Sequence, residues 1–251
     1  MRRYPSSPYT SSFSFGPGPV STALKALIAA NVVMFLATTL LRSMDLDTIL
    51  GLVPVLVIHK FWIWQPVTYM FLHAGLFHIL FNMLALWMFG TELERMWGTR
   101  YFLKFYFVSG VGAGILTVLF SLLPFGFAQQ LQQSIVIGAS GAIYALLLAY
   151  AMYFPDRPIY MYFVFPIPAR IFVLIMGVIA FYSSVADTGG GIASATLLSG
   201  LAVGYGYLKS ARAHPLSELK YRYLKWKINR VRKKFDVYSG GRADDWDHRV
   251  H

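Results

Sequence analysis

The polar and apolar positions of this chain alternate on the scale of a lipid bilayer, not of a soluble helix or strand. Six runs, over residues 23–41, 66–89, 101–123, 135–154, 169–185 and 192–208, are almost wholly apolar. Each is close to the roughly 17–25 residues a helix needs to cross the hydrocarbon core. The runs themselves carry almost no charge, which lies in the segments between them and, for the larger part, in the tail after residue 208. The pattern predicts an all-α polytopic membrane protein, a bundle of six transmembrane helices spanning residues 23–208. Residues 1–22, rich in Ser, Pro, Gly and Tyr and without the apolar run of a signal peptide, are expected to form a flexible cytoplasmic extension.

The tail, residues 209–251, has a different rhythm. Tyr221, Leu224, Ile228, Val231 and Phe235 recur every three or four positions, with Lys and Arg between them. That is the spacing of a basic amphipathic helix, suited to the anionic face of a membrane. A solvated basic tail accounts for the same residues equally well. The first inter-helix segment, residues 42–65, is long and carries the aromatic cluster Phe61-Trp62-Ile63-Trp64, a composition suited to the lipid interface.

Composition sharpens the class. The chain of 251 residues is 57% hydrophobic and only 13% charged, which points to the bilayer as its solvent. Without cysteine it has neither a disulfide framework nor a thiolate zinc site. The net charge of +11 is not a nucleic-acid signature, because 12 of the 22 Lys and Arg residues follow Gly206 and the core between is membrane-like. Sorted by side across six spans, 20 basic residues fall on the side of the termini. Only Arg42 and Lys60 fall on the other. The bias predicts a multi-pass membrane protein with both termini cytoplasmic.

Few polar groups interrupt the apolar runs, so each one matters. Ser140 stands at the head of the fourth run, between Gly138 and Gly141. Glycines one turn apart let another helix approach closely, and a serine there is a small packing residue or a nucleophile. Gly110, Gly112 and Gly114 suggest a second close-packing face in the third run. In the second run, His78 and Asn82 are four residues apart and share a helix face, while His73 lies about 140° around from His78 or in the turn before the helix. Such side chains form interhelical hydrogen bonds, or aim two donors at a buried oxyanion. With no carboxylate nearby they make a poor metal site, and neither metal nor cofactor is expected.

Gly138-Ala139-Ser140-Gly141 resembles the GxSG motif of rhomboid intramembrane serine proteases. His73-x4-His78-x3-Asn82 is similar to the spacing on their second helix. Gly200-Leu201-Ala202-Val203-Gly204 resembles the paired glycines of their last helix. The resemblance covers about residues 23–208. It implies Ser140 as nucleophile, an oxyanion held by His78, Asn82 and the Ser140 backbone N–H, and transmembrane proteins as substrates. It also implies a histidine base three residues before the first glycine of the pair.

That position is Leu197, and no histidine occurs between His78 and His214. Leucine accepts no proton, and loss of the histidine from a serine protease costs roughly 10⁴–10⁶-fold in rate. The reading is a rhomboid scaffold with nucleophile and oxyanion donors but very low or no hydrolysis. The alternative is a non-catalytic rhomboid-like protein that binds or retains transmembrane clients. A polar path for transport through His73, His78 and Asn82 is disfavoured by the scarcity of intramembrane charge.

Overall fold

A computed structural model describes residues 18–124, 126–161, 165–185, 191–213 and 225. Contacts divide the chain into a unit ending at Leu208 and a second beginning at Lys209. Of the latter, only residues 209–213 and Lys225 are described. The expected flexible extension up to residue 17, the loop at 186–190 and nearly all of the amphipathic tail therefore lie outside the described residues.

The first helix, α1 (Thr22–Leu40), starts where Ser21 caps it. The Leu24 N–H donates to Ser21 Oγ at 3.0 Å. Only Leu24, Leu27 and Asn31 of this helix are buried. Its other apolar side chains, Val33, Leu36 and Leu40 among them, are exposed on the outside of the bundle, as lipid-facing positions require. The long segment that follows is not a loop but a small folded unit. It contains α2 (Leu46–Leu50), α3 (Pro54–Lys60) and the short α4 (Gln65–Thr68). Buried Gln65 ties it together: its Oε1 accepts from the Val53 N–H at 3.0 Å and its Nε2 donates to the Thr48 carbonyl at 2.9 Å. Trp62 and Trp64 stack at 5.4 Å, and Phe61 and Ile63 stay exposed.

The second span differs from expectation. It begins at Leu76, ten residues later than the apolar run, and continues to Trp97 as α5 (Leu76–Ala85), a π-helical turn (Leu86–Gly90) and α6 (Thr91–Trp97). Extended Leu72 and Gly75 break the run before it. Charged Glu92, Glu94 and Arg95, which resemble a loop in sequence, belong to the helix. Glu94 is buried because Ser21 Oγ donates to it at 2.6 Å and Thr99 Oγ1 at 2.7 Å.

The centre of the bundle is α7 (Thr99–Phe120) packed on α9 (Ser140–Tyr153). The glycines of α7 serve two faces, not one. A Cβ on Gly110 would stand 2.6 Å from Met70 Sδ and one on Gly114 3.0 Å from a Tyr69 ring carbon, whereas one on Gly112 would stand 2.7 Å from Val203. A short helix, α8 (Gly126–Gln133), separates α7 from α9. An unanticipated antiparallel hairpin, β1 (Pro158–Met161) with β2 (Phe165–Pro168), then leads into α10 (Ala169–Val185), and α11 (Gly191–Ala213) completes the unit's helices.

Among the described residues, three helices are long and apolar enough to cross a membrane by length and composition: Thr22–Leu40, Leu76–Trp97 and Thr99–Phe120. The apolar helices α9 and α10 are shorter.

Candidate active site

Ser140 is the first residue of α9. The approach to it is fixed by backbone. Leu52 and Val136 exchange N–H···O bonds of 2.9 and 2.8 Å, and the Gly138 N–H donates to the Tyr69 carbonyl at 2.9 Å. These bonds stitch the segment before Ser140 to the first inter-helix segment and to Tyr69, in the turn just after α4. The apolar run at 135–137 is thus a bridge rather than helix, and α9 starts five residues later than the run. Gly138 then turns the chain with φ +124°, a conformation that a side chain strongly disfavours. The first intrahelical bond of α9 is Ile143 N–H to Ala139 O at 3.0 Å. The N–H groups of Ser140, Gly141 and Ala142 precede it, at the end of the helix where the dipole favours negative charge.

His78 lies in the first turn of α5. Its Nδ1 accepts from the Ala74 N–H at 3.3 Å, which places the proton of the neutral ring on Nε2. That Nε2 edge occupies the space a side chain at residue 138 would fill. A Cβ there would lie 2.9 Å from His78 Nε2, 2.9 Å from Cε1 and 3.5 Å from Ser140 Oγ. The imidazole N–H and the serine hydroxyl therefore flank one point, and the absent side chain of Gly138 makes room for both.

Asn82 is buried one turn further along α5, with Nδ2 donating to the His78 carbonyl at 2.9 Å. The amide has a second N–H, so this bond leaves one donor. His73 does not lie on the helix. Because α5 starts only at Leu76, His73 sits in the turn before it, buried, with its ring edge-on to His78 at 5.0 Å between centroids.

The helix α11 meets α9 in parallel along a seam of glycine and alanine. A Cβ on Gly200 would stand 2.9 Å from Gly141 Cα, and one on Gly204 2.7 Å from Ala145 Cβ. Gly141 is also pressed from the other side, where a Cβ would meet Ala113 of α7 at 3.0 Å. Gly138 and Gly141, spaced in sequence as one close-packing face, part company here: Gly141 meets α11, whereas the neighbours of Gly138 are His78 and Ser140. The two contacts share one register. The hydroxyls beside Leu197 are committed elsewhere. Ser199 Oγ donates to the Ala195 carbonyl at 2.9 Å. Thr196 and Thr117 are bonded at 3.0 Å, and Thr117 in turn reaches the Ala113 carbonyl at 2.8 Å.

Sequence reasoning passed over two residues that position this site. Tyr69 holds Gly138 through its carbonyl, and its hydroxyl donates to the Gly110 carbonyl at 2.7 Å. Ala74 sets the tautomer of His78. Both act chiefly through backbone groups, which leave no mark in residue type.

The fold and this cluster define a helical integral membrane protein with a serine at a helix N-terminus beside an imidazole. The Rhomboid domain model matches residues 60–212, and the chain belongs to the rhomboid family. It is similar to RHOMBOID-like protein 2 of Arabidopsis thaliana, 40% identical over 90 residues, 36% of this chain and 25% of that protein. Rhomboid protease GluP of Bacillus subtilis (strain 168) is 39% identical over 84 residues, 34% of this chain and 14% of its own length. Rhomboid protein 1, mitochondrial, of Saccharomyces cerevisiae is 37% identical over 123 residues, 49% of this chain and 32% of its own length. The matched region thus spans about a third or less of these relatives.

Proposed function

We propose that this chain is a rhomboid-type intramembrane serine endopeptidase scaffold that admits transmembrane protein substrates but hydrolyses them very slowly. Ser140 is the nucleophile. His78 Nε2–H, the second N–H of Asn82 and the Ser140 backbone N–H stabilise the oxyanion. A donor worth this much is one fixed before the charge develops, and the Ala74 bond fixes His78 in the donating tautomer. The same bond works against His78 as the base, because a ring nitrogen that carries the proton cannot take one from Ser140.

The observation that carries the proposal is the pairing of His78 Nε2 and Ser140 Oγ around the empty side-chain position of Gly138; the slow turnover rests on the resemblance, which asks for a base where this chain has Leu197. Attack by serine without a base is slow at neutral pH. A serine-directed fluorophosphonate should label Ser140 weakly, and a transmembrane reporter should remain essentially uncut. Strong Ser140-dependent cleavage by the wild type would overturn the assignment of Leu197. Absence of labelling together with capture of an intact reporter would favour the client-binding alternative.

A further inference from the structure

The hairpin between α9 and α10 stands apart from the chemistry, at the other end of α9 from Ser140. Its root is charged and closed. Arg157 pairs with Glu92 of α6, Arg170 pairs with Asp156 at 3.1 Å, and the Ala169 and Arg170 N–H groups donate to the Arg157 and Pro155 carbonyls at 3.0 and 3.1 Å. Beyond that root the chain carries no charge from residue 158 to 169. Ile159 packs inward, but Tyr160 is 56% exposed and Phe165 62% exposed. Pairing Tyr160 with Pro166 and Met161 with Phe165 puts these two aromatic rings on opposite faces of the ribbon.

In water a two-stranded ribbon of this composition is an aggregation site, with two free edges and apolar side chains on both faces. We propose that the hairpin lies in the bilayer interface, with Tyr160 and Phe165 among the lipid headgroups and upper acyl chains. Three observations select lipid as the occupant. Phe165 is followed along the chain by α10, on which Ile171, Leu174 and Val178, spaced to share one helix face, are likewise exposed. Pro158, Pro166 and Pro168 have no N–H, so the ribbon has fewer donors to leave unpaired where water is scarce. Aromatic rings next to fixed charges are also the composition that membrane interfaces favour. Because Arg157 and Arg170 each have an acidic partner, the attachment is apolar rather than electrostatic.

The chain has no cysteine, so single probes can be placed without altering other positions. We would label Phe165→Cys, and separately Tyr160→Cys, with an environment-sensitive NBD fluorophore in full-length protein in phosphatidylcholine vesicles. Asp156→Cys at the root serves as the aqueous reference. The expected result is blue-shifted emission at 165 and 160, strong quenching by a nitroxide high on the acyl chain, and loss of iodide quenching relative to 156. Adding anionic lipid should leave these readings unchanged. Aqueous emission with full iodide quenching at both sites would overturn the proposal. So would shielding from iodide and nitroxide alike, which would mean that protein covers the hairpin, or a signal that appears only with anionic lipid.

Discussion

Gly200 of α11 rests on the backbone of Gly141 in α9, so closely that a Cβ on Gly200 would stand 2.7 Å from the Gly141 carbonyl carbon. Backbone cannot yield as a flexible side chain can. Gly200→Ala should lower stability by about 1–3 kcal/mol and Gly200→Leu by more. Unfolding in detergent, followed by temperature, should show the midpoint falling in that order. An unchanged midpoint would mean that the seam is not formed.

In the proposed reading Leu197, three residues before Gly200, is the position at which to supply a base. Leu197→His should raise cleavage of a helix-destabilised transmembrane reporter by about 10²–10⁴-fold, the usual worth of a positioned acid–base group. Adding Ser140→Ala to Leu197→His should return the rate to background. A gain that survives loss of Ser140 would refute the nucleophile assignment.

Gly138 answers two demands at once, φ +124° and the space taken by His78 Nε2. Gly138→Ala in the Leu197→His background should therefore abolish most of the restored cleavage by displacing the imidazole. Its effect on the unfolding midpoint should be smaller than that of Gly200→Leu, because the ring can swing aside where the backbone of Gly141 cannot.

At the opposite end of the second span, Glu94 gathers Ser21 and Thr99. Removing a partner from a buried carboxylate costs about 1–3 kcal/mol. Ser21→Ala and Glu94→Ala should each destabilise the protein, and the double variant should lose less than the two losses together, since both delete one bond. Strict additivity in denaturation measurements would show that the contact contributes nothing.

The proposed orientation follows from the distribution of basic residues, 20 on one side and 2 on the other. In intact cells, Lys60→Cys should react with an impermeant thiol reagent, and Asp156→Cys should react only after permeabilisation. The reverse pattern would invert the topology.

Where hydropathy alone decides, the sequence placed helices well. The first run, 23–41, became Thr22–Leu40, and the fifth, 169–185, became Ala169–Val185. It failed where backbone conformation or a specific partner overrides hydropathy. Apolar residues 66–75 and 135–139 lie largely outside the spans because they form short turns, extended segments and a backbone bridge. Glu92 and Glu94 lie inside a helix because Arg157, Ser21 and Thr99 satisfy them. The hairpin was invisible for a related reason: its apolar residues resemble those of the helices on either side. At the site, residue types and spacing brought out Ser140, His78, Asn82 and the glycines. Of the two places the spacing allowed His73, the turn before the helix is the one it takes, because α5 starts three residues later.

The glycine seam also separates shape from chemistry. The contacts of Gly200 with Gly141 and of Gly204 with Ala145 are packing contacts, and they hold whether or not residue 197 can accept a proton. A chain held to this fold by the need to remain folded keeps the two helix ends at their mutual level without any turnover to reward it. On the proposed reading one side chain would silence the site, while the packing around it answers to folding alone.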